Sequence, residues 1–213
     1  MKDQENLKYP NVLKHIQAES EALNFRMASD SLTGSFLRTL AASKPAGMFL
    51  ELGTGTGMSA AWLLSGMDHK SKLISVDQDE KVIAVARKYL GQDRRVVFHT
   101  EDATIFLGKI ATQRFDFIFA DAWVGKYSYL EDTLNLLKLG GLYIIDDMLP
   151  QAMWSEDQAS KASQLISSLE CRSDLTLSKI NWSTGLVIAA KVRGQTAAGL
   201  PGERFFSGEM GNN

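Results

Sequence analysis

The segment Phe115-Asp116-Phe117-Ile118-Phe119-Ala120 is apolar at five of its six positions, and Leu142-Tyr143-Ile144-Ile145 is unbroken. A strand with one wet face alternates, whereas one without alternation is covered on both faces, as in a parallel sheet. Parallel neighbours need crossover connections, usually helices. Strands are expected at 48–52, 72–76, 96–98, 115–120, 142–145, 175–180 and 185–190. Helical patterns are expected at 10–21, from Ser31 onward, and at 57–64, 79–90, 102–109 and 129–137. Gly91 is expected to cap the helix over 79–90, and Gly140-Gly141 to stop the one over 129–137. Ser155 and Gln158 form a capping box for a further helix running to Leu169. This alternation is a doubly wound α/β sheet with helices on both faces.

The 213 residues suit one such domain. Residues 1–193 read as that domain, with an N-terminal helical segment over 1–45, and residues 194–213 as a flexible Gly-rich tail. The formal charge of -2 argues against a nucleic-acid partner held on a basic face. A lone cysteine, Cys171, excludes a disulfide framework and a multi-Cys zinc site, and is expected to be a buried or half-buried spectator. The first ten residues lack the apolar core of a secretory signal, and no apolar run is long enough to span a membrane, so the expected location is the cytoplasm.

Ligands of open parallel sheets bind beyond the carboxyl ends of the strands. There the chain carries Gly53-Thr54-Gly55-Thr56-Gly57, Asp77, Asp102, Asp121 and the pair Asp146-Asp147. The glycines allow close backbone approach to a ligand. A dinucleotide fingerprint would need glycine at position 58, which is Met58, and no Walker lysine follows. Asp77, twenty positions beyond Gly57, is placed to accept the hydroxyls of a ribose; a turn or helix cap is the alternative.

The stretch Glu51 to Ser59 resembles the first motif of class I S-adenosylmethionine-dependent methyltransferases, and Asp77 and Glu101-Asp102-Ala103 resemble the next two. The run 115–123 followed by Leu137 to Asp147 resembles the small O-methyltransferases of the catechol and caffeoyl-CoA type. The resemblance implies a seven-stranded Rossmann-like methyltransferase sheet, mostly parallel with an antiparallel closing strand. It implies S-adenosylmethionine bound by Glu51, Gly53, Thr54, Gly55, Gly57, Ser59, Asp77, Gln78, Asp102, Ala103, Asp121 and Trp123, beneath Met27, Ala28 and Ser31. It also implies a hard divalent cation such as Mg²⁺ on Asp121, Asp146 and Asp147, which would chelate and acidify a small-molecule acceptor hydroxyl.

Two positions depart from that pattern. Asp147 stands where the family has Asn, and Val124 where it has a lysine that acts as base. Lys126, beside Tyr127, is the candidate to reach the site instead, and with Asp121 it forms the expected catalytic pair; a solvated loop lysine is the alternative. Trp123, Met148, Met153, Trp154 and Trp182 are candidate acceptor walls or ordinary packing. The leading reading is an O-methyltransferase acting on a small molecule. A cation-independent methyltransferase and a cofactor-binding protein without activity are the alternatives. An NAD-dependent oxidoreductase is disfavoured by Met58. A homodimer is a family expectation only.

Overall fold

A computed structural model describes residues 2–3, 5–151 and 154–193. In chain order the elements are α1 (Leu13–Ala22), α2 (Ser31–Ala42), β1 (Met48–Leu52), α3 (Met58–Gly66), β2 (Lys72–Asp77), α4 (Glu80–Leu90) and β3 (Val96–Thr100). They continue with α5 (Ala103–Lys109), β4 (Phe115–Ala120), α6 (Leu130–Asn135), β5 (Leu137–Ile145), α7 (Glu156–Glu170), β6 (Leu175–Ile180) and β7 (Leu186–Lys191). The sheet order is β3-β2-β1-β4-β5-β7-β6. The first five strands pair in parallel, and β7 runs antiparallel to both β5 and β6.

The unbroken apolar strands are covered on both faces. Phe49, Phe117, Phe119 and Ile144 pack with Leu13 and Ile16 of α1, Leu37 of α2 and Trp62 of α3. Their strand neighbours Leu50, Ile118 and Ile145 face the other way, with Phe106 of α5, Leu134 of α6 and Leu165 of α7. Such period-two division of a strand between two cores follows from the pleat. Local signals set the helix starts: Asp30 accepts the amides of Leu32 and Thr33 ahead of α2, and Ser155 with Gln158 forms the expected capping box of α7.

Two expectations need correction, while Gly91 caps α4 as expected. The helix read over 129–137 ends at Asn135, and Gly140-Gly141 lies inside β5. There the partners of β4 jump from Phe115↔Leu137 to Phe117↔Leu142, so the surplus residues loop out, with Gly140 at φ +74°. A glycine pair serves a strand bulge as readily as a helix stop. Gly91 caps α4 with ordinary helical angles, φ -65°, so its glycine freedom is not used. Cys171 is exposed at the C-cap of α7. Among the described residues no helix is long and apolar enough to cross a membrane. Segment 194–213 and Met153 lie outside the described residues.

Candidate active site

The sheet order reverses between β1 and β4, and the chain leaving both strands there forms the site. Gly53 and Thr54 both donate their amides to the Val76 carbonyl, at 2.9 and 3.2 Å, which binds the start of the glycine loop to β2. Gly53 has φ +97°, and a Cβ there would meet the Asp121 carbonyl oxygen at 2.6 Å. Only glycine allows these two strand ends to meet. The Gly55 amide donates to Asp77 Oδ2 at 2.7 Å, and the Asp79 amide to Asp77 Oδ1 at 3.0 Å.

Beneath the loop the Thr54 hydroxyl donates to Ser75, and the Ser75 hydroxyl donates to Glu51. Glu51 is fully buried, and its Oε1 lacks a well-formed hydrogen bond. Burial raises its pKa to about 7, against the opposing pull of the Ser75 and Ser59 hydroxyls. Glu51 therefore supports the loop from below.

Above the loop lies a cavity of about 300 Å³, at the lower end of the range for small-molecule sites. Of the predicted residues, Gly53, Thr54, Gly55, Ser59, Asp77, Gln78 and Asp121 line it, with Met27 and Ala28 opposite. Glu51, Gly57, Ser31, Asp102, Ala103 and Trp123 are not among its walls. Gly57 instead starts α3 with φ +92°, where a Cβ would strike Ala86 at 2.8 Å. Asp102 caps α5 by accepting the Thr104 amide at 2.7 Å.

Sequence reasoning missed Phe25, Ser29 and Thr56, which also line the cavity. The end of α1 and the segment that follows it are tied down beside the cavity at three points. Ser20 donates to Thr56 at 2.7 Å, the Phe25 ring lies over Gly55, and Ser29 donates to Asp121 Oδ2 at 3.1 Å. Nothing in the periodicity of 23–30 signals this tertiary docking.

At the Asp121 end of the cavity stands the acid cluster. Asp146 Oδ1 accepts the Asp147 amide at 2.8 Å and the Thr184 hydroxyl at 2.9 Å. Asp147, at φ +58°, accepts Gln151 Nε2 on Oδ1 at 2.9 Å. The Lys126 side chain, 5 % exposed, ends among them. Its Nζ donates to the Asp146 carbonyl at 2.8 Å and lies 3.6 Å from Asp121 Oδ1 and 4.0 Å from Asp147 Oδ2. Lys126 is therefore a buried partner of these acids and not a solvated loop lysine.

Burial pushes Asp121 well above the usual carboxylate range; Lys126 opposes this, while Asp146 and Asp147 add to it. Burial and the adjacent Asp147 push Asp146 up to about 6. Among the described residues no group of three or more His, Cys, Asp or Glu is arranged to hold a metal ion.

A tight turn aims the lysine. Gly125, at φ +93°, donates its amide to Ser128 O at 2.8 Å, and its carbonyl accepts the Tyr143 hydroxyl. Trp123 is half-exposed beside this turn, its ring 4.7 Å from that of Tyr127 and 5.0 Å beneath Lys161 Nζ. Met148 is buried and Trp154 packs against the same core, whereas Trp182 meets Phe36 edge-on at 5.8 Å.

The fold is shared with solved structures. Rv0187 of Mycobacterium tuberculosis, described as cofactor-bound, superposes with a TM-score of 0.80 at 23 % identity, over 90 % of this chain and 94 % of that one. The O-methyltransferase TomG of Streptomyces achromogenes, in complex with SAM, gives 0.78 at 20 % identity over 90 % and 94 %. In sequence, a catechol O-methyltransferase of Niastella koreensis is 32 % identical over 123 residues, which are 54 % of this chain and 56 % of that protein. A catechol O-methyltransferase of Mycobacterium tuberculosis is 29 % identical over 128 residues, 58 % of each. The chain thus spans about half the length of the curated relatives it matches. The sequence profile of the O-methyltransferase family matches residues 4–189, most of the chain, and the chain belongs to that family.

Proposed function

We propose that this chain is an S-adenosylmethionine-dependent O-methyltransferase that acts on the hydroxyl of a small molecule. The observation that carries this reading is the cavity itself. It has a glycine-loop floor, a carboxylate at each end in Asp77 and Asp121, and a cover from the N-terminal segment. A ribose diol suits Asp77, whose oxygens each accept one amide and keep a further lone pair. The cationic amino-acid part of the cofactor suits the Asp121 end. TomG and an O-methyltransferase of Bacillus cereus, in complexes with SAM and SAH, offer the same class of ligand.

When bound, the sulfonium supplies a methyl group to an acceptor oxygen, leaving S-adenosylhomocysteine and a proton. Such a displacement needs no covalent enzyme intermediate, so the chain contributes positioning and charge. Gly53 brings the loop against Asp121, and Ser29 holds that carboxylate from the other side. Asp121 is the cavity carboxylate placed to take the hydroxyl proton. A divalent cation on Asp121, Asp146 and Asp147 is the family's arrangement, but Lys126 Nζ already stands between two of these acids. That position favours the cation-independent reading.

Thermal shift with S-adenosylhomocysteine, against NAD, tests the cofactor assignment. Ligand at about a hundred times its Kd stabilises by roughly 2.7 kcal/mol, about 5–10 °C in Tm for a chain of this size. A shift with NAD alone would overturn the proposal.

A further inference from the structure

The carboxylates of the acid cluster are already largely engaged. Asp121 Oδ2 accepts Ser29, and Asp147 Oδ1 accepts Gln151. The other oxygen of each, Asp121 Oδ1 and Asp147 Oδ2, faces Lys126 Nζ. Asp146 spends Oδ1 on Thr184 and its neighbour's amide, and its carbonyl on Nζ itself. A hard cation would need these same oxygens at about 2.0–2.6 Å. It would then share the space between them with a buried positive charge that repels it.

We infer that the ammonium of Lys126 takes the place of a divalent cation in this site, so that the chain works without one. The inference deepens the methyl-transfer reading and rests on it for the identity of the site. A buried ammonium is costly unless paired and hydrogen-bonded, and here one carbonyl and two carboxylates compensate it. Lys126 acts through Asp121, which it faces at the cavity wall, and so is a positioning residue.

The sequence supports the exchange. Val124 occupies the position three residues after Asp121, and the left-handed Gly125 turns the next residue back toward the acids. The turn after β4 thereby supplies an ammonium where the family's arrangement has a cation.

The test is Mn²⁺ binding by loss of the free-ion EPR signal at pH 8, with S-adenosylhomocysteine present, for wild type, Lys126→Met and Lys126→Ala. Wild type is expected to leave the Mn²⁺ signal unchanged, and EDTA to leave its cofactor-induced Tm shift unchanged. Each variant, freed of the ammonium but keeping three carboxylates, is expected to bind Mn²⁺ at least about tenfold more tightly than wild type. Saturable one-to-one binding by wild type overturns the inference, as do folded variants that gain no affinity. If neither variant folds, the wild-type titration decides alone. Absence of any cofactor shift in wild type would instead overturn the methyl-transfer reading, and the Mn²⁺ titration would still report on Lys126. A lysine with a purely structural role would not create a metal site on removal.

Discussion

The Asp77 carboxylate holds the Gly55 amide at 2.7 Å, so the end of β2 fixes the loop that leaves β1. One side chain thus shapes the cavity floor and offers acceptors at its edge. Asp77→Ala is expected to weaken S-adenosylhomocysteine binding by about 1–3 kcal/mol, roughly 5- to 150-fold in Kd. Isothermal titration measures this directly, and an unchanged Kd removes Asp77 from the site.

Gly53→Ala combines a left-handed φ with a Cβ placed 2.6 Å from the Asp121 carbonyl. Backbone cannot yield as a flexible side chain can, so the variant should lose about 2 kcal/mol or more. That is a fall of roughly 4–8 °C in Tm, together with loss of cofactor binding. A Tm within a degree of wild type contradicts the close approach of β1 and β4.

Gly34→Ala sets two effects against each other. Alanine gains about 1 kcal/mol in helix propensity. Yet its Cβ would lie 2.2 Å from the buried Trp62 ring, where α2 crosses α3. Overpacking of about 1–3 kcal/mol should win. Melting curves are expected to shift down; an upward shift would mean the indole has room to move.

Glu51 makes stability depend on pH. Its pKa rises from 4.5 to about 7 on folding, so the native state holds more protons across that interval. Stability therefore falls as pH rises from about 4.5 to 7 and levels off above. Asp121 and Asp146 add slopes of the same sign, so Glu51 is isolated by difference. Glu51→Gln should gain on wild type by up to about 3 kcal/mol between pH 4.5 and 8. Denaturant titrations across pH provide the check, and parallel curves for the two proteins would refute the raised pKa.

The strands were legible because double burial leaves no polar alternation to confuse with a helix, as in Phe117-Ile118-Phe119. α7 was legible from its capping box, whose two partners lie three residues apart. Gly140-Gly141 was not, since its meaning depends on β4, the strand it pairs against. In the site, the rule that ligands sit beyond strand ends was enough to find the glycine loop, Asp77 and Asp121. Phe25 and Ser29 escaped because their placement is tertiary and leaves no periodic trace. Lys126 was legible as a candidate to reach the acids, but a solvated loop lysine stayed open because its aim hangs on the φ of Gly125, which the letters alone do not state.

The cover of the cavity also has a history. Ser20 meets Thr56 across 36 residues of chain, whereas Ser29 meets Asp121 across 92. During synthesis at roughly 5–20 residues per second, the Ser29 hydroxyl waits about 5–20 s for its carboxylate. The nascent chain can lay its N-terminal segment on the glycine loop long before the acid end exists. The pocket is thus assembled in two acts, and its acid end is finished last.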